Sequence, residues 1–269
     1  MTTTATSSEQ GQKFDNNGQY SRASILRYEK IFGEGYISTG GQETTDNLVG
    51  RIKAALKPGA RILDVGSGIG GAAFYLAKTY GAKVVGIDLA EEMVTLANEN
   101  AAKAGVGDSV TTILGDILTT EFKEPFDVIW SRDALMHIPD KPRLFKRLFD
   151  LMAPGGTLVI TDYAKGVGAG SAEFQAYVKK TGYSLTDPAS YGKLLEGAGF
   201  VDVHAEDATA TFLEIMQREA DRLKNNRDEF LAIFGEQDLN YLLERWLAKD
   251  GYCKAGDMKW GIYVAHKPA

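Results

Sequence analysis

The chain has 269 residues, 44% of them hydrophobic and 25% charged, with a formal net charge of −6. That composition suits a globular chain able to bury a large core, and the acidity argues against a nucleic-acid partner, which calls for a basic face. The single cysteine, Cys253, excludes an internal disulfide and reads as an inert, half-buried thiol.

No apolar run approaches the roughly 18 residues of a membrane span, and Met1 to Gln12 is polar, without the apolar stretch of a signal peptide. A cytoplasmic location is therefore expected. Residues 1–16 read as a disordered leader and 17–269 as one domain. Its expected parts are a lid (17–43), a cofactor-binding core (44–165) and an acceptor-binding and cap region (166–269) that also holds the last strands.

Ile25, Tyr28 and Phe32 fit one helical face, broken by Gly33-Glu34-Gly35 and Gly40-Gly41. The pattern predicts a helix over 44–56, stopped before Pro58-Gly59. Strands and helices then alternate: strands over 61–65, 83–88, 110–114, 126–130 and 157–162, with helices over 71–80, 90–104 and 141–152. Such alternation predicts an α/β fold, Rossmann-like, with a mostly parallel central sheet covered by helices on both faces. Beyond Lys165, helices are expected over 171–180, 190–197, 211–234 and 237–249, and strands over 200–205 and 259–265. The long helices between the last two strands are expected to form a cap over the mouth of the sheet.

Ligands of such sheets bind outside the carboxyl ends of the strands. Asp64, Asp88, Asp116, Ser131 to Asp133 and Asp162-Tyr163 all fall at those ends. Asp64-Val65-Gly66-Ser67-Gly68-Ile69-Gly70-Gly71 sits between a strand and a helix, where glycines let backbone approach a bulky ligand. A second strand ends in Asp88, about 20 residues on, where ribose hydroxyls are usually bound. Asp64, two residues before the first glycine, can meet a cationic amino acid group, and no second nucleotide-binding unit follows. These features favour S-adenosylmethionine over a dinucleotide. Asp116 can meet the adenine amino group while Ile117 covers the ring.

His137 is one of only three histidines and lies beside the expected mouth, where an imidazole can take a proton. His204 and His266, in or beside late strands, read as structural. No paired His or Cys spacing suggests a metal. The charge run from Glu219 to Glu229 reads as a solvated helix face. By its residue type alone, Lys249 reads as another solvated charge.

Several segments together resemble phosphoethanolamine N-methyltransferases: Gly18-Gln19-Tyr20, Ile31 to Gly41, Leu63 to Gly68, Ser131-Arg132-Asp133-Ala134-Leu135-Met136-His137, Ile160 to Tyr163 and Lys259-Trp260-Gly261. The likeness spans residues 19–267 and is strongest to the C-terminal half of the plant enzymes. It implies a class I methyltransferase fold and three methyl transfers from S-adenosylmethionine, taking phosphoethanolamine to phosphocholine. By this resemblance Tyr20 and His137 form a catalytic pair that closes the site. Tyr20, Ile37, Ser38, Asp64, Gly66, Ser67, Gly68, Asp88, Leu89, Asp116, Ile117, Ser131 and Arg132 hold the cofactor. Gln19, Asp133, Tyr163, Tyr183 and Lys249 bind the acceptor, with Tyr163, Tyr183 and Lys249 at the phosphate. No metal is implied, the partner is a small-molecule amine, and a monomer is expected.

One position departs from the family pattern. An arginine is expected two residues before Tyr183, and Thr181 stands there. A bidentate anion clamp is thus missing from its place. Lys179 or Lys180 can substitute as a point charge, or the acceptor is another small amine or zwitterion of the glycine, sarcosine or dimethylglycine type. A third reading is a methyltransferase fold kept as a binding module without turnover.

Overall fold

A computed structural model describes residues 21–269. Helices α1 (Arg22–Phe32) and α2 (Gly41–Ile52) lead into the alternating core. The core runs β1 (Arg61–Val65), α3 (Gly71–Tyr80), β2 (Lys83–Asp88), α4 (Glu91–Ala104), β3 (Val110–Leu114), β4 (Phe126–Arg132), α5 (Lys141–Leu151) and β5 (Met152–Lys165). There follow α6 (Ala172–Thr181), α7 (Pro188–Gly197), β6 (Val201–Asp207), α8 (Thr209–Asn225), α9 (Arg227–Phe234), α10 (Glu236–Lys254) and β7 (Met258–His266).

The strands form one sheet in the order β3-β2-β1-β4-β5-β7-β6. Pairings from β3 to β5 are parallel, and β7 runs antiparallel to both β5 and β6. Side chains alternate across the pleat. Ile62, Val84, Val128 and Val159 join one core with α2, α3, α8 and α10. Leu63, Ile87, Ile129, Leu158 and Ile160 join another with α5 and α7. Strand order reverses direction between β1 and β4, which opens the crevice where such sheets take ligands.

Four departures from the expected pattern stand out. α2 begins at Gly41, not Thr44, because Gly40 adopts φ 76° and starts the helix where a break was expected. β5 begins at Met152, earlier than Thr157. There the Pro-Gly-Gly segment is drawn onto the end of the sheet: Gly155 N donates to Lys267 O at 3.1 Å, and Lys267 N to Gly156 O at 3.0 Å. The helix expected over 211–234 is two helices, interrupted at Asn226 (φ −103°, ψ 25°). α10 runs on to Lys254, five residues past the expected end.

Candidate active site

One cavity opens at the carboxyl ends of β1, β2 and β4, walled by the β1–α3 turn, α1 and α10. Its floor is glycine by necessity. Gly66 has φ 73°, and a Cβ there would lie 2.3 Å from the Cβ of Ala134. Gly68 has φ 54°, and its Cβ would lie 2.8 Å from Ile37 Cδ1. Only glycine meets both the positive φ and the close approach. Gly68 N donates to Asp88 Oδ2 and Ala90 N to Asp88 Oδ1, each at 2.9 Å. These bonds fix the carboxylate at the end of β2.

Asp64 is buried (3% exposed). Burial pushes its pKa up to about 7, and the nearby Asp88 adds to this while Arg132 opposes it. The Arg132 guanidinium, itself buried, donates to Gly41 O (2.8 Å), Thr45 Oγ1 (2.8 Å) and Thr39 O (2.6 Å). It therefore ties the α1–α2 loop to the end of β4, and that loop carries Ile37 and Ser38 into the cavity wall.

Asp133, next along, holds φ 49°, unusual for a residue with a side chain. Its Oδ1 accepts from Trp260 Nε1 at 2.8 Å, while Oδ2 is buried without a hydrogen-bond partner among the described residues. Asp133 lines the cavity, so this oxygen can serve a ligand donor. The 3-10 turn 135–137 then places His137, whose ring meets the Tyr183 ring edge-on at 5.2 Å. Burial pulls the His137 pKa down to about 4, aided by the Lys141 cation. The ring is neutral at pH 7, the form that accepts a proton.

The turn is held from both sides. Lys141 Nζ donates to Leu135 O (2.8 Å) and Ile138 O (2.7 Å), and Met136 N donates to Asp162 Oδ1 (3.1 Å). Burial drives the Asp162 carboxyl up, against the pull of Lys141.

The cap supplies the opposite wall. Lys249 is buried, contrary to its reading as a solvated charge, and donates to Tyr163 Oη at 2.8 Å. Its Nζ lies 4.6 Å from the Tyr163 ring centroid and 5.4 Å from that of Trp246. Burial, helped by the Arg245 cation, lowers its pKa to about 8 against the pull of Asp133 and Glu219. Glu219 also departs from the solvated-face reading. It is 3% exposed and accepts from Gly40 N (2.7 Å) and Trp246 Nε1 (3.1 Å). Burial raises its pKa to about 7. The signal was present in the sequence: Phe212, Ile215, Met216, Glu219 and Leu223 recur at helical spacing, so Glu219 lies on the apolar stripe of α8.

Of the expected site residues, the cavity gathers Ile37, Ser38, Asp64, Gly66, Ser67, Gly68, Asp88, Leu89, Ile117, Arg132, Asp133, His137, Tyr163, Tyr183 and Lys249. Gln19 and Tyr20 lie outside the described residues. Two expected residues are not among those lining the cavity. Ser131 is fully buried, its hydroxyl donating to Val65 O at 2.7 Å, so it joins β4 to β1 and does not line the cavity. Asp116 is not on the wall either; its Oδ1 accepts from Leu118 N at 2.8 Å and shapes the turn that presents Ile117. Sequence reasoning missed Arg245 and Tyr28 as wall residues.

Cys253 is buried, and burial lifts its thiol pKa to about 12. His204 pairs with Glu206 at 3.5 Å on the edge strand, and His266 Nδ1 lies 3.2 Å from Thr157 Oγ1. None of these three lines the cavity. No helix among the described residues is long and apolar enough to cross a membrane.

Comparison with known proteins agrees with this geometry. A family profile described as "Methyltransferase domain" matches residues 56–231. Phosphoethanolamine N-methyltransferase 1 of Triticum aestivum is 48% identical over 257 residues, covering 95% of this chain and 51% of that protein. The Plasmodium falciparum phosphoethanolamine N-methyltransferase is 36% identical over 258 residues, covering 94% of this chain and 95% of the relative. Phosphoethanolamine N-methyltransferase 2 of Haemonchus contortus was solved with phosphomonomethylethanolamine and S-adenosylhomocysteine. It superposes with a TM-score of 0.91 at 34% identity, covering 95% of this chain and 59% of that one. The chain thus spans about half the length of the plant relatives it matches and nearly all of the Plasmodium one. By profile, identity and fold, it belongs to the phosphoethanolamine N-methyltransferase family.

Proposed function

We propose that this chain is an N-methyltransferase that methylates phosphoethanolamine and its mono- and dimethyl forms, with S-adenosylmethionine as methyl donor. The observation that carries the reading is the polarity of the cavity. A buried carboxylate oxygen without a partner among the described residues, Asp133 Oδ2, stands in the same cavity as a buried ammonium, Lys249. An acceptor with a cationic amine at one end and a phosphate at the other complements that pair. The relatives' names point to the same acceptor.

The glycine turn fits the donor, which supplies an electrophilic methyl group when bound. Gly66 and Gly68 leave room that a Cβ would fill. Asp88 presents a carboxylate for ribose hydroxyls, and Asp64 one for an amino group. Ile117 and Leu89 offer apolar contact. Residues 17–43 are assigned as a lid over this site.

Asp133 takes the amine through a charge-assisted bond and orients it. His137, neutral at pH 7, accepts the proton that the ammonium must lose before its nitrogen can attack. Tyr20 is assigned as its partner by the family resemblance. Tyr163, Tyr183 and Lys249 bind the phosphate. Buried aromatic walls favour a methylated ammonium and exclude water, so positioning and desolvation supply most of the acceleration.

The test is transfer of labelled methyl to phosphoethanolamine, its mono- and dimethyl forms, ethanolamine, glycine, sarcosine and dimethylglycine. Turnover confined to the phosphorylated amines is expected. Turnover of the glycine series alone refutes the acceptor assignment and leaves the methyltransferase standing. Cofactor binding without transfer to any acceptor refutes the activity.

A further inference from the structure

The phosphate end of the cavity has a gap where the family pattern places an arginine. Thr181 does not fill it. Its hydroxyl donates back into its own helix, to Tyr177 O at 2.9 Å and Val178 O at 3.1 Å, and it does not line the cavity. Lys179 and Lys180 are exposed on α6 and do not line it either. A guanidinium does reach the cavity, from a different element. Arg245 on α10 stands one helical turn before Lys249, so both project from one face.

The surroundings of Arg245 are those of a cation placed for an anion. It lines the cavity together with Tyr28 and Tyr183. Its Nη1 donates to Tyr241 Oη at 2.9 Å, and its guanidinium lies 5.5 Å from the Tyr241 ring centroid. Among the described residues no other atom of the guanidinium has a hydrogen-bond partner, and no carboxylate pairs with it. The nearby Lys249 also lacks a carboxylate within salt-bridge distance there. Two cations on one helical face, neither in direct contact with a carboxylate among the described residues and bordered by phenols, suit a dianion. Tyr28 Oη, on the same wall, is buried without a partner in hydrogen-bond geometry among the described residues.

We propose that Arg245 supplies the guanidinium fork that binds the acceptor's phosphate, moved from α6 to α10 and replacing the one lost at Thr181. This rests on the acceptor reading above. It makes Arg245 a specificity determinant: the fork distinguishes a phosphate from a hydroxyl and leaves the methyl transfer itself to other residues.

The experiment measures kcat and KM for phosphoethanolamine, and S-adenosylhomocysteine affinity as a control, in wild type, Arg245→Gln, Arg245→Lys and the double variant Arg245→Gln with Thr181→Arg. Loss of a hydrogen-bonded charge corresponds to about 10- to 100-fold in affinity. Arg245→Gln is expected to raise KM for phosphoethanolamine by about that factor, with kcat within about threefold and S-adenosylhomocysteine affinity unmoved. Arg245→Lys is expected to fall between, and Thr181→Arg to recover most of the loss. A KM within about twofold of wild type in Arg245→Gln overturns the proposal. Should the Gln variant lose its thermal melt, Arg245→Lys decides: a wild-type KM there removes the need for a fork. Wild-type protein that turns over no phosphorylated amine refutes the acceptor reading itself, a result separate from either variant outcome.

Discussion

Asp133→Asn isolates one oxygen of the site. Asparagine accepts the same positive φ, so the backbone at φ 49° is undisturbed. Its amide oxygen keeps the bond from Trp260 Nε1, now 2.8 Å. The amide nitrogen then stands where Oδ2 is buried and unpartnered, turning an acceptor into a donor facing the acceptor's amine. A hydrogen bond to a charged group is worth about 1.5–3 kcal/mol, and the opposed donors add a penalty of about 1–3 kcal/mol. Together these amount to about 10²- to 10⁴-fold in kcat/KM. The assay is labelled methyl transfer to phosphoethanolamine, with the thermal melt and S-adenosylhomocysteine affinity measured beside it. Both controls should stay near wild type, because Trp260 and the glycine turn keep their partners. Activity within about threefold of wild type would refute the assignment of Oδ2 to the amine. A lowered melt with proportionate activity loss would instead make Asp133 a structural residue.

Three further expectations follow from the same geometry. Gly66→Ala forces a Cβ to 2.3 Å from Ala134 and strains a backbone at φ 73°; calorimetry should show cofactor affinity falling by at least about 10-fold, and unchanged affinity would contradict the tight turn. Lys249 has its pKa lowered to about 8, so it is charged below that pH and neutral above. KM for phosphoethanolamine should therefore rise from pH 8 to 9.5, where the phosphate charge is constant, and Lys249→Arg should flatten the rise; a flat wild-type profile argues against a phosphate contact. Glu219→Gln can satisfy only one of the two donors on Glu219, Gly40 N and Trp246 Nε1. A loss of about 1–3 kcal/mol in a denaturant melt is expected, and a melt at the wild-type midpoint would show that the two donors find other partners.

The alternating pattern of strands and helices, the glycine turn and the carboxylates at strand ends were legible in the sequence because each is a local property. A pleat buries every second residue, a close-approach turn requires glycine, and parallel strands place their ends on one side. Asp64, Gly66, Gly68, Asp88, Asp133 and His137 follow from those rules and from the family resemblance. What the order of residues did not determine is which polar groups the tertiary fold buries. Ser131 and Asp116 occupy strand ends like their neighbours, yet the Ser131 hydroxyl donates to Val65 O, Asp116 Oδ1 accepts from Leu118 N, and neither residue lines the cavity. Glu219 and Lys249 sit in stretches dense with charge, and only the packing of α8 and α10 against α1 and β7 removes them from water. Arg245 is the clearest case. Its distance in the chain from Tyr183 hides that both side chains line one cavity, because helix docking brings together side chains that no local period connects.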